Sequence, residues 1–269
     1  MRTLADRIQS GHPTATDRDL TPHDLMHLGY GPEMATRIAA LLEEEDLMSH
    51  YCSRAAKAGC TPITRVSTAY PLLLRKRLGL DSPGVLWARG DTSLLAQPAV
   101  ALVGSRDLQD DNRRFAEEVG RQAALQGYVL VSGNARGADR TAQNSCLAHG
   151  GQVISIVADE LWKQPDHDRI LYLSEDGFDE AFSSQRALSR NRCIHALGLK
   201  TFVAQSALKT GGTWDGTAKN LRFHWSSVYC FDDGSNAANL LCQMGAIPIV
   251  PQALESFYDL PKEISFLDV

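Results

Sequence analysis

The run Ala99-Val100-Ala101-Leu102-Val103-Gly104-Ser105-Arg106 decides the fold, because five apolar residues end abruptly in a glycine, a hydroxyl and a guanidinium. A short apolar run stopped by a turn residue reads as a buried strand. The pattern returns at Tyr128–Val131, followed by Ser132-Gly133-Asn134-Ala135-Arg136-Gly137-Ala138-Asp139. It returns again at Thr201–Ala204, with Lys209-Thr210-Gly211-Gly212-Thr213-Trp214 beyond it. Between these runs lie amphipathic stretches, Asn112–Gln126 closed by Gly127 and Ala138–His149, whose spacing predicts helices. Further strands are predicted at Val85–Ala88, Val153–Val157 and Val228–Phe231, and a further helix at Asn236–Met244. Short strands alternating with longer helices give an α/β fold, a doubly wound and mainly parallel sheet with helices on both faces.

Upstream the punctuation differs. Thr21-Pro22 reads as a helix N-cap with proline in the first turn, and Gly29-Tyr30-Gly31-Pro32 as a break. Met34, Ile38, Leu41 and Leu42 then recur at helical spacing, Glu43–Asp46 reads as a solvated face, and a third helix over Tyr51–Ala58 ends at Gly59. Residues 1–66 are therefore expected to form a small all-helical domain, with a frayed or adaptor-like first dozen residues, and 67–269 the α/β domain.

The 269 residues carry 43% hydrophobic and 22% charged side chains and a net charge of -5, the balance of a globular protein. No apolar run approaches the length of a membrane span, and the N-terminus lacks a signal core, so a cytoplasmic protein is expected. The six cysteines form no C-x-x-C pair and are expected to be mostly buried rather than disulfide-bonded or metal-bound. An acidic total argues against broad nonspecific nucleic-acid binding, which draws on many Lys and Arg contacts to phosphate. The charge is unevenly spread, however. From Ser183 through Trp214 there is no Asp or Glu, while Arg186, Arg190, Arg192, Lys200 and Lys209 fall in that stretch.

In open parallel sheets, ligands sit beyond the carboxyl ends of the strands, where loops lead into helix N-termini rich in unpaired N–H groups. Three strand ends here carry anion-binding chemistry: Gly104, Ser105 and Arg106; Ser132, Gly133, Arg136 and Gly137; and Lys209, Gly211, Gly212 and Thr213. None is a standard nucleotide fingerprint. Ser189 is read as the cap of a helix running to Gly198, which puts Arg190, Asn191 and Arg192 in its first turn; the alternative is that these arginines pair with acids such as Glu175 or Asp176. Trp214 is weighed as a base-stacking face against a core residue, and Asp139 as a cap against a general base. Catalytic constellations are absent from the pattern, with no G-x-S-x-G elbow. Of the eight histidines, His23 and His27 alone have ligand-like spacing and lack a third partner, so no metal and no cofactor is expected.

The order of blocks resembles the DprA (Smf) DNA-processing family: Tyr70-Pro71, Pro83-Gly84-Val85-Leu86-Trp87 with Arg89-Gly90-Asp91, Gly104-Ser105-Arg106, Ser132 to Asp139, Gly150-Gly151, Ser174-Glu175, Arg190-Asn191-Arg192, Gly211-Gly212-Thr213 with Thr217-Ala218, and Gly245-Ala246. The resemblance implies a Rossmann-like domain of the SLOG superfamily, preceded by a helical module similar to SAM or helix-hairpin-helix domains. It also implies single-stranded DNA as ligand, homodimers, loading of a RecA-type recombinase onto incoming DNA, and no catalytic turnover. The glycines, Ser105, Ser132, Arg106, Arg136, Arg190, Asn191, Arg192 and Thr213 would then line the DNA pocket. The sequence departs from the family at Asp110-Asp111-Asn112, Ala138 and Gln143, and no C-terminal winged helix is expected after Ile249. A nucleotide sensor of the same superfamily is a second expectation. A phosphoribohydrolase is a third, although Lys219 and Asn220 stand where its glutamate would be sought.

Overall fold

The computed structural model describes residues 20–261; the expectation for the first dozen residues lies outside them. These residues fall into two compact units that meet between Thr61 and Pro62. In the first unit, α1 (Pro22–His27), α2 (Pro32–Glu43) and α3 (Glu45–Lys57) follow in succession. Thr21 caps α1 in a reciprocal box with Asp24, each satisfying a donor of the other. Leu20, Leu25, Ala35 and Ala39 form the small core of this unit. The acidic run does not lie on one helix face: α2 ends at Glu43 and Glu44 caps α3, which begins well before Tyr51.

The second unit is built on one nine-stranded sheet. Its strands are β1 (Thr61–Thr64), β2 (Val85–Arg89), β3 (Ala99–Val103), β4 (Val129–Ser132), β5 (Val153–Ile156), β6 (Ile170–Ser174), β7 (Lys200–Val203), β8 (Ser227–Phe231) and β9 (Ile247–Ile249). Across the sheet they run β1-β2-β6-β5-β4-β3-β7-β8-β9. Pairing is parallel from β6 through β9, and β2 lies antiparallel on β6. The chain therefore steps outward from β3 to β4, β5 and β6, then returns to the other side of β3 as β7. That reversal opens a crevice at the carboxyl ends of β3 and β7, the place where such sheets bind ligands.

The helices are α4 (Leu72–Leu78), α5 (Asp110–Leu125), α6 (Ala138–Ala148), α7 (Ser184–Leu197), α8 (Gly211–Phe223) and α9 (Asn236–Gln243). Helices α5 and α6 pack against one another, as do α7 and α8. Strand residues alternate between faces. Ala101, Val103 and Val203 join Cys193 and Ile194 of α7 in one core, whereas Phe202 turns the other way onto Tyr229 and Phe257. Val100, Leu102, Leu130, Phe115 and Phe202 are all fully buried.

Three strands escape the sequence reading. Two of them, β1 and β9, carry Pro62 and Pro248 and form the two edges of the sheet, where a missing N–H can be tolerated. The third, β6, follows a polar stretch that hides it. A larger correction concerns α7. Its N-cap is Ser183, whose hydroxyl accepts from the Arg186 N–H, and not Ser189. Arg190, Asn191 and Arg192 thus sit in the middle of the helix, and the argument that they oppose its dipole does not hold. Cys60, Cys146, Cys193 and Cys230 are buried and Cys52 and Cys242 half-buried, and none of them is joined in a disulfide among the described residues. No helix among the described residues is long and apolar enough to cross a membrane.

Candidate anion-binding cleft

Three loops interlock at the crevice. The Ser105 N–H donates to the Gln205 carbonyl beyond β7, and the Ser105 carbonyl accepts from the Ala138 N–H at the start of α6. Gly137 adopts a positive φ of 85°, and a Cβ there would lie 2.4 Å from the carbonyl oxygens of both Ser105 and Arg106. Only glycine allows the β4 loop to pass this closely under the β3 loop.

The cleft they enclose has a volume of about 440 Å³. Gly104, Ser105 and Arg106 line it from β3, Arg190 and Asn191 from α7, and Gly211, Gly212 and Thr213 from the N-terminus of α8. No side chain of the N-cap residue Thr210 closes that terminus. Its first-turn N–H groups are the unpaired donors that, with the helix dipole, favour an anion. Asn191 steadies the turn by donating from Nδ2 to the Gly212 carbonyl at 3.1 Å. Arg106 is exposed, and no ion pair holds it among the described residues, so its charge is available to a ligand.

Beneath the cleft, Arg190 is only 6% exposed. It donates from Nη2 to the Gly133 carbonyl at 2.8 Å, while its Nε finds no partner among the described residues. A Cβ on Gly133 would sit 1.5 Å from Nη1 of Arg190, so glycine is the seat of the guanidinium. Asp139 holds the same loop from the other side, its Oδ2 accepting from the N–H groups of Gly133 and Ala135, each at 3.1 Å. Burial pushes the Asp139 carboxyl up; the nearby Arg190 charge and the two N–H groups work in the opposite direction. Burial likewise pulls Arg190 down from the ordinary arginine range, against Asp139 and Asp159. Asp139 therefore clamps this loop.

The other residues singled out from sequence lie elsewhere. Ser132 is fully buried behind the loop and takes a hydrogen bond from Gln143 at 2.6 Å. Arg136 points outward and pairs with exposed Asp107 at 2.7 Å. Lys209 is exposed in a left-handed turn and does not line the cleft. Trp214 is half-buried against the main hydrophobic core and does not line the cleft. Arg192 turns away to pair with Glu175 at 2.7 Å and to donate to the Asp81 carbonyl, and Arg186 pairs with Asp176 at 2.8 Å. For these two arginines the alternative of acidic partners is the correct one. Where a hydrolase would need its glutamate, Lys219 pairs with Asp215, and Asn220 is buried in a network with His195, Thr201 and Ser226. His23 and His27 face one another with Nε2 atoms 3.2 Å apart, but no group of three or more metal-ligand side chains occurs among the described residues.

The sequence reading missed a second lobe of about 530 Å³, which shares Arg106, Ala135, Ala187 and Arg190 with the main cleft. It adds Asn134, Arg140, Asp159, Gln164 and Phe182. Their separation along the chain hid the cluster.

Strand order and the switch-point cleft define a Rossmann-like domain, with a glycine-seated arginine beneath the cleft. Residues 61–251 match the model of the family described as DNA recombination-mediator protein A, and the chain belongs to that family. The chain is 31% identical over 144 residues to the DNA processing protein DprA of Streptococcus pneumoniae, covering 49% of this chain and 50% of that one. It is 27% identical over 164 residues to DprA of Bacillus subtilis, covering 57% and 54% respectively. The matches thus span about half the length of these relatives. The crystal structure of DprA from S. pneumoniae superposes with a TM-score of 0.73 at 24% identity, over 91% of this chain and 88% of that one. DNA processing protein A from Helicobacter pylori, described for its single-stranded DNA binding mode, superposes with a TM-score of 0.60 at 23% identity, over 73% and 94%.

Proposed function

We propose that the domain binds single-stranded DNA, with backbone phosphates seated in the switch-point cleft. The observation that carries this reading is the meeting there of the uncapped N-terminus of α8 and the exposed guanidinium of Arg106, which no ion pair holds among the described residues, above the buried charge of Arg190. A single strand fits better than a duplex, because the cationic surface is confined to one cleft and acids at Asp107, Asp110 and Asp111 lie beside the Arg106 loop. Family membership supports the finer reading: protection of incoming single strands, loading of a RecA-type recombinase in DNA uptake or recombination, action as a homodimer in the cytoplasm, and binding without turnover.

Fluorescence anisotropy with a labelled single strand, its duplex and a free mononucleotide as competitors tests the reading. Preferential, salt-sensitive binding of the single strand that Arg106→Ala weakens supports it. Binding of the mononucleotide with no binding of the strand would replace it by the nucleotide-sensor reading, which the nucleotide-sized cleft and the neighbouring acids favour.

A further inference from the structure

We propose that His195 is a positioning residue for the phosphate seat: its bond to Asn220 and its contact with Gly216 set how far the N-terminus of α8 reaches into the cleft. This rests on the strand-binding reading above, which places a phosphate at that terminus.

Asn191 and His195 stand about one turn apart on α7, and Gly212, Gly216 and Asn220 follow at the same spacing on α8, so each set lies on one face of its helix. The two faces meet rung by rung. Asn191 donates from Nδ2 to the Gly212 carbonyl at 3.1 Å. A Cβ on Gly216 would lie 3.0 Å from Nε2 of His195 and 3.3 Å from Cβ of Asn191. Nδ2 of Asn220 lies 3.0 Å from Nδ1 of His195. The first rung belongs to the wall of the cleft, and the other two are buried beneath it.

The last rung has a fixed direction. The Ser226 N–H donates to Oδ1 of Asn220 at 2.9 Å, which turns Nδ2 toward His195 and the Ser226 hydroxyl. An amide nitrogen only donates, so Nδ1 accepts and the imidazole proton sits on Nε2. Burial lowers the His195 pKa to about 3, which keeps Nδ1 able to accept at neutral pH. Ser226, just before β8, in turn has its hydroxyl 2.7 Å from that of Thr201 in β7. Helix α8 is therefore held along its axis against both α7 and the sheet.

Two features of this arrangement cost stability. Nε2 of His195 is buried with no partner among the described residues, and Gly216 sits in a helix interior. An alanine facing an apolar side chain would pack the same two helices without either cost, so packing alone does not call for them. What they provide is a close and directional contact one turn beyond Gly212, at the base of the anion-binding turn. Departures from local preference gather at functional sites.

Single-strand affinity measured by anisotropy below the melting transition tests this with His195→Ala, His195→Asn and Gly216→Ala. His195→Ala removes the acceptor, while Gly216→Ala forces the helices apart by a few tenths of an ångström yet raises helix propensity. Each should weaken binding roughly three- to tenfold, the share expected of a helix N-terminus on an anion. His195→Asn, whose Oδ1 can replace Nδ1 as acceptor, should bind as the unaltered protein does. Lower melting temperatures with unchanged affinity in His195→Ala and Gly216→Ala would make the contact purely structural and overturn the proposal, as would lost affinity in His195→Asn. Backbone amide shifts of Gly212 and Thr213, read without any strand, separate the proposal from the reading beneath it: they should move in His195→Ala and Gly216→Ala and stay in place in His195→Asn. Moved shifts in a protein that binds no strand would refute the strand-binding reading and leave the positioning standing; unmoved shifts would refute the positioning.

Discussion

Arg192 provides the sharpest contrast within the basic stretch. The sequence groups it with Arg190 as a DNA contact, but the structure makes it the partner of Glu175, whose side chain is 4% exposed while that of Arg192 is 25% exposed. Arg192 also donates to the Asp81 carbonyl and to Ser189. Replacing it with alanine strands a buried carboxylate, and Cys193 Sγ, which donates to Glu175 at 3.5 Å, offers poor compensation. Breaking a buried pair from one side costs roughly 3–5 kcal/mol, and the partial exposure of the guanidinium lowers that to about 2–3 kcal/mol here. At roughly 2–4 °C per kcal/mol for a domain of this size, Arg192→Ala should melt about 5–10 °C lower. Its affinity for single-stranded DNA, measured by anisotropy below the melting transition, should equal that of the unaltered protein. Unchanged melting together with lost affinity would refute the assignment and return Arg192 to the binding surface.

Other perturbations separate the remaining parts. Asp139→Asn removes the charge facing Arg190 and weakens the clamp on Gly133 and Ala135, and should cost about 2–3 kcal/mol in urea denaturation. Phe202→Ala, between Tyr229 and Phe257, should cost about 3–5 kcal/mol in the same measurement without altering binding to the cleft, because its ring lies on the face of the sheet away from α7. His195 is buried and its pKa is lowered to about 3 by burial, so the unfolded chain takes up a proton that the folded protein refuses. The stability this costs is absent above the unfolded value of about 6.5 and grows as pH falls toward 3, reaching about 2 kcal/mol near pH 5. Urea midpoints of His195→Gln should lack that share of the acid-side decline; parallel pH curves for the two proteins would count against it.

Much of the fold was legible because buried parallel strands announce themselves as apolar runs stopped by glycine, as at Val103-Gly104 and Val131-Ser132-Gly133. Edge strands gave no such signal: Pro62 and Pro248 argue against a strand unless the residue is known to sit at an edge, and only the assembled sheet reveals that. The cleft was legible at its three loops, which are contiguous in sequence. What was illegible was direction. Two serines, Ser183 and Ser189, could each cap α7, and choosing the wrong one misplaced Arg190 and Arg192 by more than a turn. Side chains one or two positions apart on that helix then point to different places: Arg190 under the Gly133 loop, Asn191 to Gly212 and Arg192 to Glu175. Trp214 follows two cleft glycines in sequence yet packs inward, whereas Phe182, in an unremarkable Ala-Phe-Ser-Ser stretch, opens into the adjoining lobe.

The central claim is that phosphate is held at the carboxyl ends of β3 and β7 through Arg106 and the N-terminus of α8. The salt dependence of single-strand affinity measures it most directly, since each neutralised phosphate contributes a slope of about -0.7 in log K against log salt for single strands. Arg106→Ala should bind more weakly at low salt and lose about one such contribution from its slope, with its melting temperature unchanged. A slope and affinity identical to those of the unaltered protein would contradict the account.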